Sequence, residues 1–294
     1  MSQQIFTIVA PLFIIAIVGY CYGSRVRPEM HITNQLLMDV FVPALIFHVM
    51  TQDDFYPRQY FNLMAAGALL MLLSGALALL FARLCGFSWR AFVPPAMFSN
   101  WANLGLPLYV SSLGEAALGA GVMLVVVGNL LCFTIGTYIY SGKLGGFAVL
   151  KTPVIVAVIL GGTLNVFNVS LPEVIDAPIG MLGQIAIPLM LFSLGVRLNC
   201  VSWGDVKPGL VMAAFCPIVG MALAILLCEL IPMSLMHQRI LILFGALPPA
   251  VMNFMLAEQY NREPGAVASM VLIGNMASVI SLPIALIYVL SISV

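Results

Sequence analysis

The sequence predicts an all-α polytopic membrane protein whose ten transmembrane helices form two inverted five-helix repeats. Three observations carry that class. The chain of 294 residues is 62% hydrophobic and only 7% charged, where soluble domains carry roughly a quarter charged residues. Apolar runs of about twenty residues, long enough to cross a bilayer as helix, recur from end to end without the short alternating segments of a β-barrel. Motifs of the first half also return in the second at an offset near 145 residues.

In chain order, the apolar segments lie at about 4–22, 32–50, 60–82, 91–113 and 117–140, then 151–168, 177–196, 209–231, 238–257 and 265–291. The first reads as a spanning helix and not a cleaved signal, because no Lys or Arg precedes Ile5 and no small-x-small site precedes Arg25. The loops sort their basic residues. Arg25, Arg27, Arg83, Arg90, Lys143, Lys151, Arg197, Lys207 and Arg262 fall on one side, against Arg58 and Arg239 on the other. Lys and Arg in short loops mark the cytoplasmic face, so both termini are expected outside an inner membrane. The six cysteines are scattered without a CxxC pair, and neither a disulfide, a metal nor another cofactor is expected. Zero net charge argues against a nucleic-acid partner. No HExxH, GxSxG or P-loop sequence points to an enzyme.

The repeat is visible in four places. Pro43 and Phe47 of "FVPALIFHVM" fall on Pro188 and Phe192 of "AIPLMLFSLG" at an offset of 145. Gly128-Asn129 falls on Gly274-Asn275 at 146, Pro11 and Gly19 on Pro153 and Gly161 at 142, and Gly75 on Gly220 at 145. Each unit, 1–140 and 151–294, holds five spans and is joined to the other by the short linker 141–150. An odd number of spans forces the second unit to insert upside down. Inverted repeats are an architecture of secondary transporters, with the binding site at the repeat interface near the bilayer midplane.

The fourth and ninth segments are interrupted at corresponding places, by "SNWANLGLPLYVSSLG" (Ser99–Gly114) and "GALPPAVMNFMLAEQYN" (Gly245–Asn261). Proline has no amide hydrogen, so Pro107 frees the carbonyl of Asn103, and Pro248 and Pro249 free those of Phe244 and Gly245. Bare backbone persists at membrane depth only inside protein or beside a watery cavity. One proline kink would be ordinary. Two at matching positions, one of them flanked by Asn100 and Asn103, favour a pair of crossing broken helices whose N-terminal ends attract an anion.

"SNWANLGLPL" and "ALPPAVMNFMLAEQYNREPGAVASMVLIGN" together resemble the auxin efflux carrier family, the plant PIN transporters and their bacterial relatives, and "FVPALIFHVM" is similar to that family's second span. The resemblance covers the membrane portion, without the long cytoplasmic loop of many plant members. It implies a crossover fold with spans 1, 2, 6 and 7 as scaffold and spans 3–5 and 8–10 as a moving transport domain. It also implies export or exchange of small organic anions and a homodimer. The family's crossover Asn and Pro fall on Asn100 and Pro107, and its ninth-span Pro on Pro248. Pro249 stands where plant members carry a polar side chain, which separates this chain from an auxin-like ligand. Bacterial relatives point instead to malonate, malate or similar carboxylates.

Other polar residues inside the segments are candidates for the same chemistry. Asn129 and Asn275 are repeat mates beside the breaks, and Asn253 lies just beyond the proline pair. A buried Asn often only bonds a neighbouring helix, but the symmetric placement of Asn129 and Asn275 makes them candidates for lining the site, and Asn253 is a candidate from its place beyond the prolines. Asp39 is the one carboxylate well inside a span, with Gln184 as its mate, and is a candidate for coupling to protons. His48 reads as a satisfied interfacial residue, and Arg197 as an orientation signal. With no Lys or Arg expected at mid-membrane, an anion would be held by helix ends and amides alone. The reading is a secondary carrier for a small organic anion working by alternating access, with H+ or Na+ as a coupling ion. The alternatives are a sodium-coupled symporter of the bile-acid type, and a channel or membrane sensor.

Overall fold

The structure, a computed structural model, describes residues 2–52, 55–142, 152–199 and 206–292. Among these the chain is helical, and the sole extended pairing is one isolated bridge between Ser99 and Pro249. The first half folds as α1 (Ser2–Val26), α2 (Met30–Leu36), α3 (Val42–Thr51), α4 (Phe61–Cys85), α5 (Trp89–Met97), α6 (Leu106–Leu113), α7 (Leu118–Leu131) and α8 (Thr137–Ser141). The second half folds as α9 (Pro153–Val166), α10 (Glu173–Leu198), α11 (Val206–Leu230), α12 (Leu235–Ala246), α13 (Val251–Gln259) and α14 (Pro264–Ser291). Of the linker expected at 141–150, all but Ser141 and Gly142 lies outside the described residues.

Seven helical runs are long and apolar enough to cross a bilayer. The expected segments beyond those seven fall on the 14-residue α9 and on two interrupted pairs, α5 with α6 and α12 with α13. α4 shows why such a chain belongs in lipid. It buries its small residues Ala66, Gly67, Ser74, Gly75, Ala78 and Ala82, and exposes a stripe of Leu69, Leu73, Leu77, Leu80 and Leu84. Small residues let helix backbones approach, and the exposed leucines match hydrocarbon.

Two prolines shape their segments in the same way. A proline ring clashes with the carbonyl four residues back, and a wider π-helical turn relieves that clash. Pro43 follows the π-turn Leu37–Phe41, and Pro107 follows the π-turn Trp101–Gly105. The fourth segment therefore stays helical through Pro107. It leaves the helix earlier, at Phe98 and Asn100, whose ψ angles are 90° and 55°.

Two sets of helices pack most closely among themselves: α1 with α10 and α3 with α9 and α10, then α11 with α12 and α14 and α4 with α5, α7 and α11. In the first set the backbones of α1 and α10 touch at glycines. A Cβ at Gly195 would overlap the carbonyl of Ala16, and one at Gly19 would overlap that of Phe192. A rigid backbone cannot yield as a side chain can, so overpacking there costs at least the usual ~1–3 kcal/mol. Gly195→Val is therefore expected to lower the melting temperature of the purified protein markedly. Gly265→Ala, where an added Cβ meets nothing within 4 Å, should leave it unchanged.

Candidate functional site

The two helix breaks meet. The N–H of Asn100, which a continued helix would give to its own preceding turn, donates to the carbonyl of Pro248 at 2.8 Å. In return, the N–H of Ala250 donates to the carbonyl of Phe98 at 3.0 Å. Pro248 and Pro249 have no N–H, so the unwound stretch brings few donors that need a partner.

The carbonyls are satisfied one by one. Asn253 Nδ2 donates to Phe98 O at 2.8 Å and to Ala250 O at 2.9 Å. Asn275 Nδ2 donates to Pro249 O at 2.9 Å, and also to Val271 O at 2.8 Å within its own helix. Ser99 O accepts from the N–H of Trp101, and Asn100 O from those of Leu104 and Gly105. With Pro248 O taken by Asn100, all six carbonyls of residues 98–100 and 248–250 have donors. Buried unwound backbone demands this, since an orphaned group costs about 1–3 kcal/mol.

The repeated Gly-Asn pairs brace the meeting point from either side. A Cβ at Gly128 on α7 would stand 2.6 Å from the Trp101 ring, and one at Gly274 on α14 would stand 2.7 Å from Pro249 Cδ. Each glycine thus provides a flat seat for one of the two breaks. Its neighbour adds a hydrogen bond: Asn129 Oδ1 accepts from Trp101 Nε1 at 3.4 Å, and Asn275 Oδ1 accepts from Asn100 Nδ2 at 3.3 Å. Trp101 is held further by the rings of Phe98 and Phe244, whose centroids lie 6.1 and 6.3 Å away.

Beside the meeting point lies a cavity of about 50 Å³. Ser99, Asn100, Asn103, Asn129 and Arg197 supply its polar lining. Ala102 and Asn103, in the first turn after one break, and Met252, in the first turn of α13 after the other, also border it. First-turn N–H groups lack intrahelical acceptors and carry the positive end of the helix dipole. Two such ends on one cavity, with three amides and a guanidinium, suit a small anion.

The candidates from the sequence separate into three groups. Asn100, Asn103 and Asn129 line the cavity. Asn253, Asn275, Pro248 and Pro249 belong to the framework that holds the breaks together, and Pro107 is buried in the first turn of α6. Asn275 also borders an apolar groove of about 420 Å³ between α1, α10 and α14. Asp39 is exposed in the π-turn of the second segment, next to Met38, which reaches the cavity. His48 Nδ1 pairs with Asp176 Oδ1 at 2.9 Å, away from the cavity.

Arg197 corrects an expectation. The sequence reading left the anion site without a cation, yet the last turn of α10 carries Arg197 onto the cavity wall. Its position near a helix end marked it only as an orientation signal, because how far one helix end reaches toward a break in another is a tertiary fact.

The family model described as Membrane transport protein matches residues 4–149 and 146–286. The chain belongs to this family, that of the auxin efflux carriers. It is 25% identical over 293 residues to an uncharacterized transporter of Methanocaldococcus jannaschii, covering 93% of this chain and 95% of the relative. A second relative, an uncharacterized transporter of Methanothermobacter thermautotrophicus, is 23% identical over 295 residues, covering 94% and 95%. As a membrane transport protein the chain moves a solute across a bilayer.

The framework role of Asn275 has a measurable consequence. Asn275→Leu removes the donor to Pro249 O and is expected to cost about 1–3 kcal/mol through the orphaned carbonyl. Asn129→Leu removes only a long, half-buried bond and should cost less than half as much, as read by thermal or denaturant unfolding in detergent.

Proposed function

We propose that this member of the family is a secondary carrier for a small organic anion of the malonate or malate class, working by alternating access. The observation that carries the reading is the pair of helix first turns bordering one cavity together with Asn100, Asn103 and Asn129. Membership in a transport family supports the carrier class, and two helix N-termini with convergent amides support the anion.

On this reading the chain has ten spans in two inverted repeats, with segments 1, 2, 6 and 7 as scaffold and segments 3–5 and 8–10 as the transport domain. The closer packing of α1, α3, α9 and α10 among themselves supports that division. With both termini outside, Met38, near the start of the second segment, and Arg197, near the end of the seventh, lie toward the cytoplasm. The cavity they border then opens inward. Displacement of the transport helices would carry the bound anion to the other face while Asn275, Asn253 and the backbone exchange keep the two breaks together. Asp39, adjacent to Met38, is the coupling carboxylate, taking up a proton as the anion binds.

Asn103 is the sharpest probe of the cavity, since it lines the space and its amide makes no hydrogen bond among the described residues. Proteoliposomes loaded with malonate or malate are expected to show saturable counterflow of the labelled anion. Asn103→Ala should raise the half-saturating concentration tenfold or more, since a hydrogen bond to a charged group contributes about 1.5–3 kcal/mol, without loss of thermal stability. Flux without saturation or exchange would point to a channel, and counterflow of only neutral solutes would remove the anion. Asp39→Asn is expected to retain counterflow and lose acceleration by a proton gradient; acceleration that survives would exclude Asp39 from coupling.

A further inference from the structure

We propose that Arg197 is the charge-selecting residue of the cavity, its guanidinium pairing with the carboxylate of the transported anion. The inference rests on the carrier reading above and names what that site selects. Arg197 is the one charged side chain in the cavity's described lining. The other polar groups there, Ser99, Asn100, Asn103 and Asn129, are neutral and bond neutral carbonyls, amides and hydroxyls as readily as a carboxylate. Helix ends favour negative charge, but only through partial charges. A full positive charge at the same wall turns a polar cavity into an anion-selective one, and the planar guanidinium matches a carboxylate bidentately.

The placement of Arg197 adds a second consequence. It rides on α10, which packs on α1 and α3, whereas the amides ride on the interrupted segment and on α7. Its Nη1 is 3.9 Å from Met255 Sδ on α13, which packs on α14, so the guanidinium reaches from α10 to the helix that follows the second break. If the sets move against each other, the distance from Arg197 to a bound anion changes while the distances from the amides do not. The charge pair then belongs to one orientation of the carrier, and its loss in the other promotes release.

The test compares wild type, Arg197→Gln and Arg197→Lys, each full-length in nanodiscs, for binding of malonate and of its neutral analogue malonamide. Wild type is expected to prefer malonate. Arg197→Gln should lose at least tenfold in malonate affinity and keep its malonamide affinity, and Arg197→Lys should recover part of the loss. An unchanged malonate-to-malonamide ratio in Arg197→Gln overturns the proposal, as does equal loss of both probes in both variants, the signature of a structural role. A second measurement needs no substrate. In Asn103→Cys/Cys132→Ser protein, the rate of labelling at position 103 by an anionic methanethiosulfonate is divided by the rate with a cationic one. Adding Arg197→Gln should lower that ratio severalfold, and an unchanged ratio overturns the proposal whichever solute is carried. If wild type binds no carboxylate while the labelling ratio falls, the carboxylate assignment fails and the charge-selecting role of Arg197 stands.

Discussion

The structure depends on an exchange of two backbone hydrogen bonds between the breaks of two helices. Asn100 N–H to Pro248 O and Ala250 N–H to Phe98 O are the contacts that make unwound backbone tolerable in an apolar interior. Each break supplies the N–H that one carbonyl of the other takes, Phe98 O in the first and Pro248 O in the second, whereas Ser99 O and Asn100 O accept from N–H groups of their own segment. With the exchange in place, Pro249 O is the one carbonyl of the six served only by a side chain, Asn275, while the Asn253 amide adds a second donor to Phe98 O and to Ala250 O. The same unwinding puts the first turns of two helices on the border of one cavity. The contacts that make the breaks tolerable thus also bring two helix ends to one cavity.

The glycines that recur beside those asparagines explain how the meeting point is held without being crowded. A side chain at Gly128 or Gly274 would push Trp101 or Pro249 out of register, and the hydrogen bonds of Asn129 and Asn275 would stretch beyond use. The Gly-Asn pair is a single device, a flat seat and a hook, placed once on α7 and once on α14. Its repetition is what the sequence offset registers.

Much of this was legible in the residues. The ten apolar segments each coincide with a helix or an interrupted pair, because runs of Leu, Val, Ile and Ala leave helix as the way to satisfy backbone in lipid. The existence of two breaks was legible from Pro107 and the Pro248–Pro249 pair. Their location was only half so. In the ninth segment the chain opens at the prolines, but in the fourth the π-turn absorbs Pro107, and the opening falls where Asn100 can reach Pro248. That preference depends on the partner segment, which local sequence does not contain. For the same reason the asparagines could be listed but not sorted into those that line the cavity and those that hold its frame. Arg197 was read only as an orientation signal because the packing of α10 against α1, through Gly19 and Gly195, is what delivers its last turn to the cavity.

Ser99 and Pro249 lie opposite one another in antiparallel backbone, a geometry that puts their Cβ atoms about 4.5–5.5 Å apart. Cysteines introduced as Ser99→Cys and Pro249→Cys, with the native cysteines replaced by serine, measure it directly. Mild oxidation in membranes should join them, with the linked peptides identified by mass spectrometry. A Ser99→Cys/Gly265→Cys pair in the same background should stay reduced. Efficient linking of the control, or none between positions 99 and 249 in folded protein, would show that the two breaks do not meet.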